Sequence, residues 1–168
     1  MLERTDPEAA SDERTTLVQF LDYQRDSLEL KAAGLSDEQA ATASCPPSML
    51  TLTGLVRHLA EVERNWFRRC FAAEDAPPLF YSDERPDGDL EVDATTSLED
   101  SIAVWRAEVA RADEVVAGVS DLGQLAAAPR HGNYPNMRWI LVHMIEEYAR
   151  HMGHADLLRE RIDGVVGD

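Results

Sequence analysis

The chain has 168 residues, enough for one compact domain with a single core, and its 44% hydrophobic content is that of an ordinary globular protein. Asp and Glu outnumber Lys and Arg within a net charge of -16, a field that repels phosphate backbones and anionic membranes, so neither nucleic acid nor membrane is an expected partner. Cys45 and Cys70, the only cysteines, exclude a disulfide framework and a CxxC motif, and both read as ordinary thiols.

The opening MLERTDPEAASDER lacks the basic start and apolar run of a secretory signal, so a cytoplasmic setting is expected, with residues 1–10 as a flexible tail on a single domain spanning 1–168. From Ser11 to Lys31, Leu17, Phe20, Leu21 and Leu28 recur at three and four residues, Gln24 being the polar exception, and Gly34 supplies a stop. This predicts a first long helix. Ser36 to Gln39 reads as a capped short turn of helix, and Cys45-Pro46-Pro47-Ser48 interrupts the pattern.

Between about Leu50 and Ala73, Leu52, Leu55, Leu59, Val62, Trp66 and Cys70 predict a second long helix, with Pro77-Pro78 beyond its end. Residues 74–96 are rich in Pro, Asp and Gly without a period, as in a connection that crosses a bundle or lids a site. Ser97 to Asp100 resembles a capping box with Asp in place of Glu, and Leu98, Ile102, Trp105, Val109, Ala112 and Val116 carry a third helix to Gly118. Past a loop containing Pro129, Gly132 and Pro135, a fourth and longest helix runs from about Asn136 to Ile162 on Ile140, Met144, Tyr148, Ala155 and Leu158. Four apolar stripes without a strand pattern predict an all-α fold, a four-helix bundle with a long crossover connection.

Three of the five histidines lie in the fourth helix, WILVHMIEEYARHMGHADLLRE. At about 100° per residue, Glu147 and His151 fall about 40° apart near the middle of its apolar stripe, while Glu146 points away and His143 and His154 lie at the border. An inward carboxylate needs a partner such as a metal or a cation. On the second helix His58 lies among Leu55, Leu59, Val62 and Trp66, inward but near the border of the face. Two histidines and one glutamate suit a divalent ion with one open position, Zn²⁺ first and Ni²⁺ or Fe²⁺ as alternatives. A single inward histidine is more often a hydrogen-bonded core residue; it is the combination of His58, Glu147 and His151 that points to metal. The two-iron bundle pattern is disfavoured because Arg150, not His, stands three residues after Glu147.

HExxH, GxSxG and phosphate-binding glycine loops are lacking. His154 and Asp156 either orient ligands or form surface ion pairs, and Arg85 in the long loop either binds an anionic substrate or is simply solvated.

The phrases LTGLVRHLAEVERNWF and RWILVHMIEEYARHMGHADLLRE, with the spacing between them, resemble the DinB-like (YfiT-like) four-helix-bundle superfamily, near its mycothiol-dependent maleylpyruvate isomerase and mycothiol S-transferase branch. Many members of that superfamily use three histidines, two of them four apart on the last helix, and Glu147 stands where the first of that pair would be. The isomerase branch uses His, Glu and His, a pattern that falls on His58, Glu147 and His151. The resemblance implies a metal that activates a low-molecular-weight thiol such as mycothiol, the thiol and a small electrophile being the partners. A water-activating metal hydrolase and a non-enzymatic metal-binding or stress-related bundle are the alternatives. A homodimer, the commonest assembly, is left open.

Overall fold

The computed structural model describes residues 4–167. The elements are α1 (Glu13–Ala32), α2 (Asp37–Ala40), α3 (Leu52–Glu63) running directly into a π-helix (Arg64–Phe71), α4 (Leu98–Ala117) and α5 (Met137–Asp163). Among the described residues there is no strand, only isolated bridges joining Leu125 to Asn136 and Arg130 to Asn133. Side chains that the sequence supplies cap each α-helix start: Asp12, Ser36, Thr51, Ser97 and Asn136 each accept from a backbone N–H in the first turn. The full capping box forms at Ser36 with Gln39. At Ser97 only the Asp100 N–H half forms, Asp being one methylene shorter than Glu, and the Leu98 N–H is taken by Asp37 Oδ1 of α2 at 2.8 Å.

α1 packs on α5 and α3 on α4, and α3 also faces α5. The cross-helix pairs give the directions. Glu13 meets Arg138 and Lys31 meets Asp156, so α1 and α5 run parallel. Arg14 reaches the carbonyls of Val116 and Val119 while Arg25 meets Asp113 and Arg106 meets Glu29, so α1 and α4 are antiparallel. Arg25 also meets Glu63, and Tyr148 meets both Glu63 and Trp105, which ties α3 into the same bundle. His58 beside His151 and Trp66 beside Trp139 make α3 antiparallel to α5 and so parallel to α4, and residues 74–96 return the chain along the bundle between them, the crossover that the segment's length implied.

Two expectations need correction. Phe20 is 45% exposed, leaving Leu21 as the inward residue of its turn, and the inward polar residue one turn on is Arg25, 4% exposed, rather than Gln24. The second long helix is not α throughout: the Ala72 N–H donates to Phe67 O, an i to i+5 bond. Trp66, Phe67, Cys70 and Phe71 are all buried along this stretch. Of the expected tail, residues 1–3 lie outside the described residues. The rest lies against α1, with Arg4 Nη1 donating to Ser27 Oγ at 3.1 Å and the Glu8 N–H to Gln19 Oε1 at 2.8 Å.

Arg25 anchors a polar cluster inside the bundle. Its Nε and Nη2 donate to the two oxygens of fully buried Glu63, both at 2.9 Å, and Tyr148 Oη donates to Glu63 Oε1 at 2.8 Å. Trp105 Nε1 in turn donates to Tyr148 Oη at 2.7 Å. Burial, reinforced by the Glu63 charge, pushes the Tyr148 phenol well above its ordinary range, so it serves as a fixed donor. One carboxylate thus ties α1, α3, α4 and α5 together beneath the site described next. No helix among the described residues is long and apolar enough to cross a membrane.

Candidate metal centre

α3 and α5 run antiparallel, which sets His58 beside His151 and Trp66 beside Trp139 and His143. One ligand atom each from His58, Glu147 and His151 lies within 4.8 Å of the others. His151 Nε2 and Glu147 Oε2 are 3.5 Å apart, close to the ~3.3 Å edge of a tetrahedral site with bonds of ~2.0–2.1 Å. The sequence-predicted triad therefore converges, and Glu146 points to solvent as the helical wheel required.

The protonation pattern suits coordination. His58 Nδ1 lies 2.8 Å from Asp89 Oδ2. A carboxylate only accepts, so Nδ1 is the donor to Asp89 and Nε2 is the ring nitrogen available to a metal. Burial, followed by the nearby His58, His154 and Arg150, lowers the His151 pKa to about 4, which leaves its ring neutral at physiological pH. Its other face is covered by His154, whose Nδ1 lies 3.4 Å from His151 Nδ1. The Glu147 carboxylate is only 19% exposed, and its nearest polar neighbours are His143 Nε2 and His151 Nε2, both at 3.5 Å. A half-buried carboxylate with no hydrogen bond and two neutral-capable imidazoles beside it fits a divalent cation better than it fits a closed protein network.

Other side chains fall outside the triad. His143 stacks on Trp139 with ring centroids 5.0 Å apart and meets the Trp66 edge at 4.6 Å. Asp156 pairs with Lys31 Nζ at 2.8 Å. Arg85 does not reach the centre: it is exposed, and its Nε and Nη2 both donate to Glu91 Oε2 at 2.8 and 2.7 Å.

His58 and Glu147 open into a cleft of about 520 Å³, whose walls include Glu61, Asn65, Trp66, Tyr81, Asp89 and Arg130. An adjoining groove of about 490 Å³ shares Trp66, Arg130, His131 and Trp139 and is otherwise mostly apolar. The crossover supplies one wall through Tyr81, Pro86, Asp87, Asp89 and Leu90, so it acts as a lid as well as a link. Glu61, one turn after His58, is 2% exposed; its Oε1 accepts from the Leu79 and Phe80 N–H groups, both at 2.7 Å, and its Oε2 is buried without a partner. The opposite wall is a two-residue hairpin in which Arg130 and Asn133 exchange backbone bonds of 2.8 and 3.0 Å around His131 and Gly132. Both turn residues have positive φ, 50° and 79°, as a type I′ turn requires, and this is the conformation for which Gly132 is suited.

Asp89, Glu61 and Arg130 were not singled out by the sequence reading. Asp89 and Arg130 sit in aperiodic loops, where no pattern tells which side chain turns inward. Glu61 carried a usable signal, an i+3 spacing from His58 that puts both on one face.

A crystal structure described as that of a conserved protein of locus from Enterococcus faecalis superposes with a TM-score of 0.62 at 18% identity, covering 93% of this chain and 100% of that one. At that identity the likeness speaks for the fold. No curated protein matches the chain. A family model for mycothiol S-transferases matches residues 16–164, a span that takes in every helix of the bundle but the first few residues of α1 and all three residues of the triad. The chain belongs to the mycothiol S-transferase family.

Proposed function

We propose that this protein is a metal-dependent transferase that joins mycothiol to a small electrophile, with His58, Glu147 and His151 as the metal ligands. The observation that carries the reading is the Glu147 carboxylate: half-buried, without a hydrogen bond, and facing two imidazole nitrogens at the floor of a cleft. When bound, a divalent ion, Zn²⁺ first among the candidates, would lower the pKa of a thiol and make thiolate available at neutral pH.

The chain's own residues do the rest. Asp89 holds the His58 ring in one tautomer and orientation. Glu61, its Oε1 fixed by the Leu79 and Phe80 N–H groups, ties the crossover wall to α3 beside His58. Trp66 and Trp139 give the electrophile an apolar surface, and the crossover wall limits the water that competes with the thiol. In the reaction one S–C bond forms, the leaving group departs with its bonding pair, and the thiol proton passes to solvent.

The test is conjugation of mycothiol to monobromobimane by zinc-loaded protein, with bacillithiol in parallel. A zinc-dependent rate with mycothiol that His151→Ala abolishes is the expected result. Equal rates with and without zinc, or zinc-dependent ester hydrolysis without any thiol, would replace the reading with the bundle's non-enzymatic or hydrolytic alternative.

A further inference from the structure

Arg130 is the one arginine among the described residues whose side chain makes no hydrogen bond. Every other arginine donates to a carboxylate, a hydroxyl, a side-chain amide or a backbone carbonyl. In a chain with 32 acidic residues and 16 basic ones, a guanidinium with no hydrogen-bond acceptor of any kind is conspicuous. Its Nε is also buried without a partner, which costs free energy until something accepts from it. The guanidinium carbon lies 4.9 Å from the centre of the Trp66 ring. Trp66 covers the flat face and leaves the edge, where the N–H groups lie, for a ligand.

The wall around it is made of donors. Asn65 Oδ1 and Tyr81 Oη both lie against Arg69 Nη1, at 2.8 and 2.9 Å, and accept from it. That contact leaves the Asn65 amide protons and the Tyr81 hydroxyl proton for the cleft they line. None of the acidic residues of the same cleft pairs with Arg130: Asp89 meets His58, Glu61 Oε1 accepts from two backbone N–H groups, Glu147 lies beside His151, and Asp87 is exposed. The type I′ turn fixes the Arg130 backbone, so the group is held in place before a ligand arrives.

We propose that Arg130 binds a carboxylate on the electrophile, assisted by donors from Asn65 and Tyr81, so that the preferred substrate is an anionic one with an apolar or aromatic body. Trp66 follows His58 by eight residues, about 12 Å along the helix axis at ~1.5 Å per residue. The carboxylate therefore sits roughly an aromatic ring's length or more from the reacting carbon, and the body between them lies against Trp66 and Trp139. A para-substituted benzoate has this shape. In a transfer to para-(chloromethyl)benzoate the thiol sulfur bonds to the benzylic carbon, the C–Cl bond breaks with its electron pair going to chloride, and the thiol proton goes to solvent. The electrophile assignment rests on the transferase reading; the carboxylate site does not.

The experiment therefore has separate binding and transfer arms. Tryptophan fluorescence of the zinc-loaded protein is titrated with para-toluate and with the neutral isostere para-toluamide. Wild type is expected to bind the acid about tenfold or more tightly than the amide, as a charge-assisted pair should. Arg130→Met is expected to bind both equally, with zinc affinity and amide binding unchanged, and Arg130→Lys to recover part of the preference. Equal binding of acid and amide by wild type, a preference that survives in Arg130→Met, or displacement of para-toluate by inorganic phosphate at equal concentration would each overturn the assignment. In the transfer arm, kcat/KM for para-(chloromethyl)benzoate with mycothiol should fall about tenfold in Arg130→Met while that for its methyl ester holds. A toluate preference without transfer defeats the proposed function alone, and transfer without the preference defeats this site alone.

Discussion

His58 Nδ1 is held by Asp89 at 2.8 Å, and the aspartate belongs to the crossover rather than to a helix; on the proposed reading Asp89 orients a ligand. Asp89→Asn keeps the shape of the side chain but replaces an acceptor-only group with one that can also donate. Zinc affinity, measured by competition with a chromogenic chelator, should fall about 10–100-fold, and an unchanged affinity would show that the loop does not orient the ring. His151 gives a pH signature in the metal-free protein. Its folded pKa of about 4 lies below the ordinary 6.5. As pH falls below 6.5 the unfolded chain takes up a proton that the folded chain refuses, so the stability present above pH 6.5 is lost progressively toward pH 4. Between pH 7 and pH 4.5 the urea midpoint of wild type should fall relative to that of His151→Leu; parallel curves would contradict this.

At the scale of elements, the cluster of Arg25, Glu63, Tyr148 and Trp105 decides how the helices meet. Arg25→Met leaves the Glu63 carboxylate buried without its cation and should destabilise the protein by about 3–5 kcal/mol in denaturant unfolding, against less than about 1 kcal/mol for an exposed pair such as Arg85 with Glu91. A loss for Arg25→Met as small as that of the surface pair would mean the cluster is not what holds the four helices. Helix periodicity and caps placed α1, α4 and α5 within a residue or two, because each has one continuous stripe and a side chain that caps its start. The same periodicity misjudged two turns. Arg25 was invisible because an inward arginine breaks the apolar pattern unless its partner, 38 residues away, is known. The π-helix was invisible because Trp66, Phe67, Cys70 and Phe71 also fit one α-helical face, and only the backbone bond from the Ala72 N–H to Phe67 O shows the wider turn.

For the molecule as a whole, the triad was legible because all three ligands sit on helices, where spacing dictates direction. The groups that tune and extend it, Asp89 and Arg130, were not legible, since they lie in loops whose geometry depends on what the bundle packs against. The two kinds of segment converge on one cleft, and metal should therefore stabilise the whole fold by mass action. Removing zinc with a chelator should lower the melting temperature of wild type, by the equivalent of about 2.7 kcal/mol when free zinc had stood at about a hundred times its Kd, and should leave Glu147→Gln with its own, lower value unchanged. The most direct test of the centre is zinc stoichiometry after purification and dialysis, measured by elemental analysis in wild type and in His58→Ala, Glu147→Gln and His151→Ala, with circular dichroism to confirm that each variant keeps its helices. The structure predicts one equivalent of zinc in wild type and loss of tightly held zinc in all three variants; stoichiometric zinc retained by a folded His151→Ala protein would contradict it.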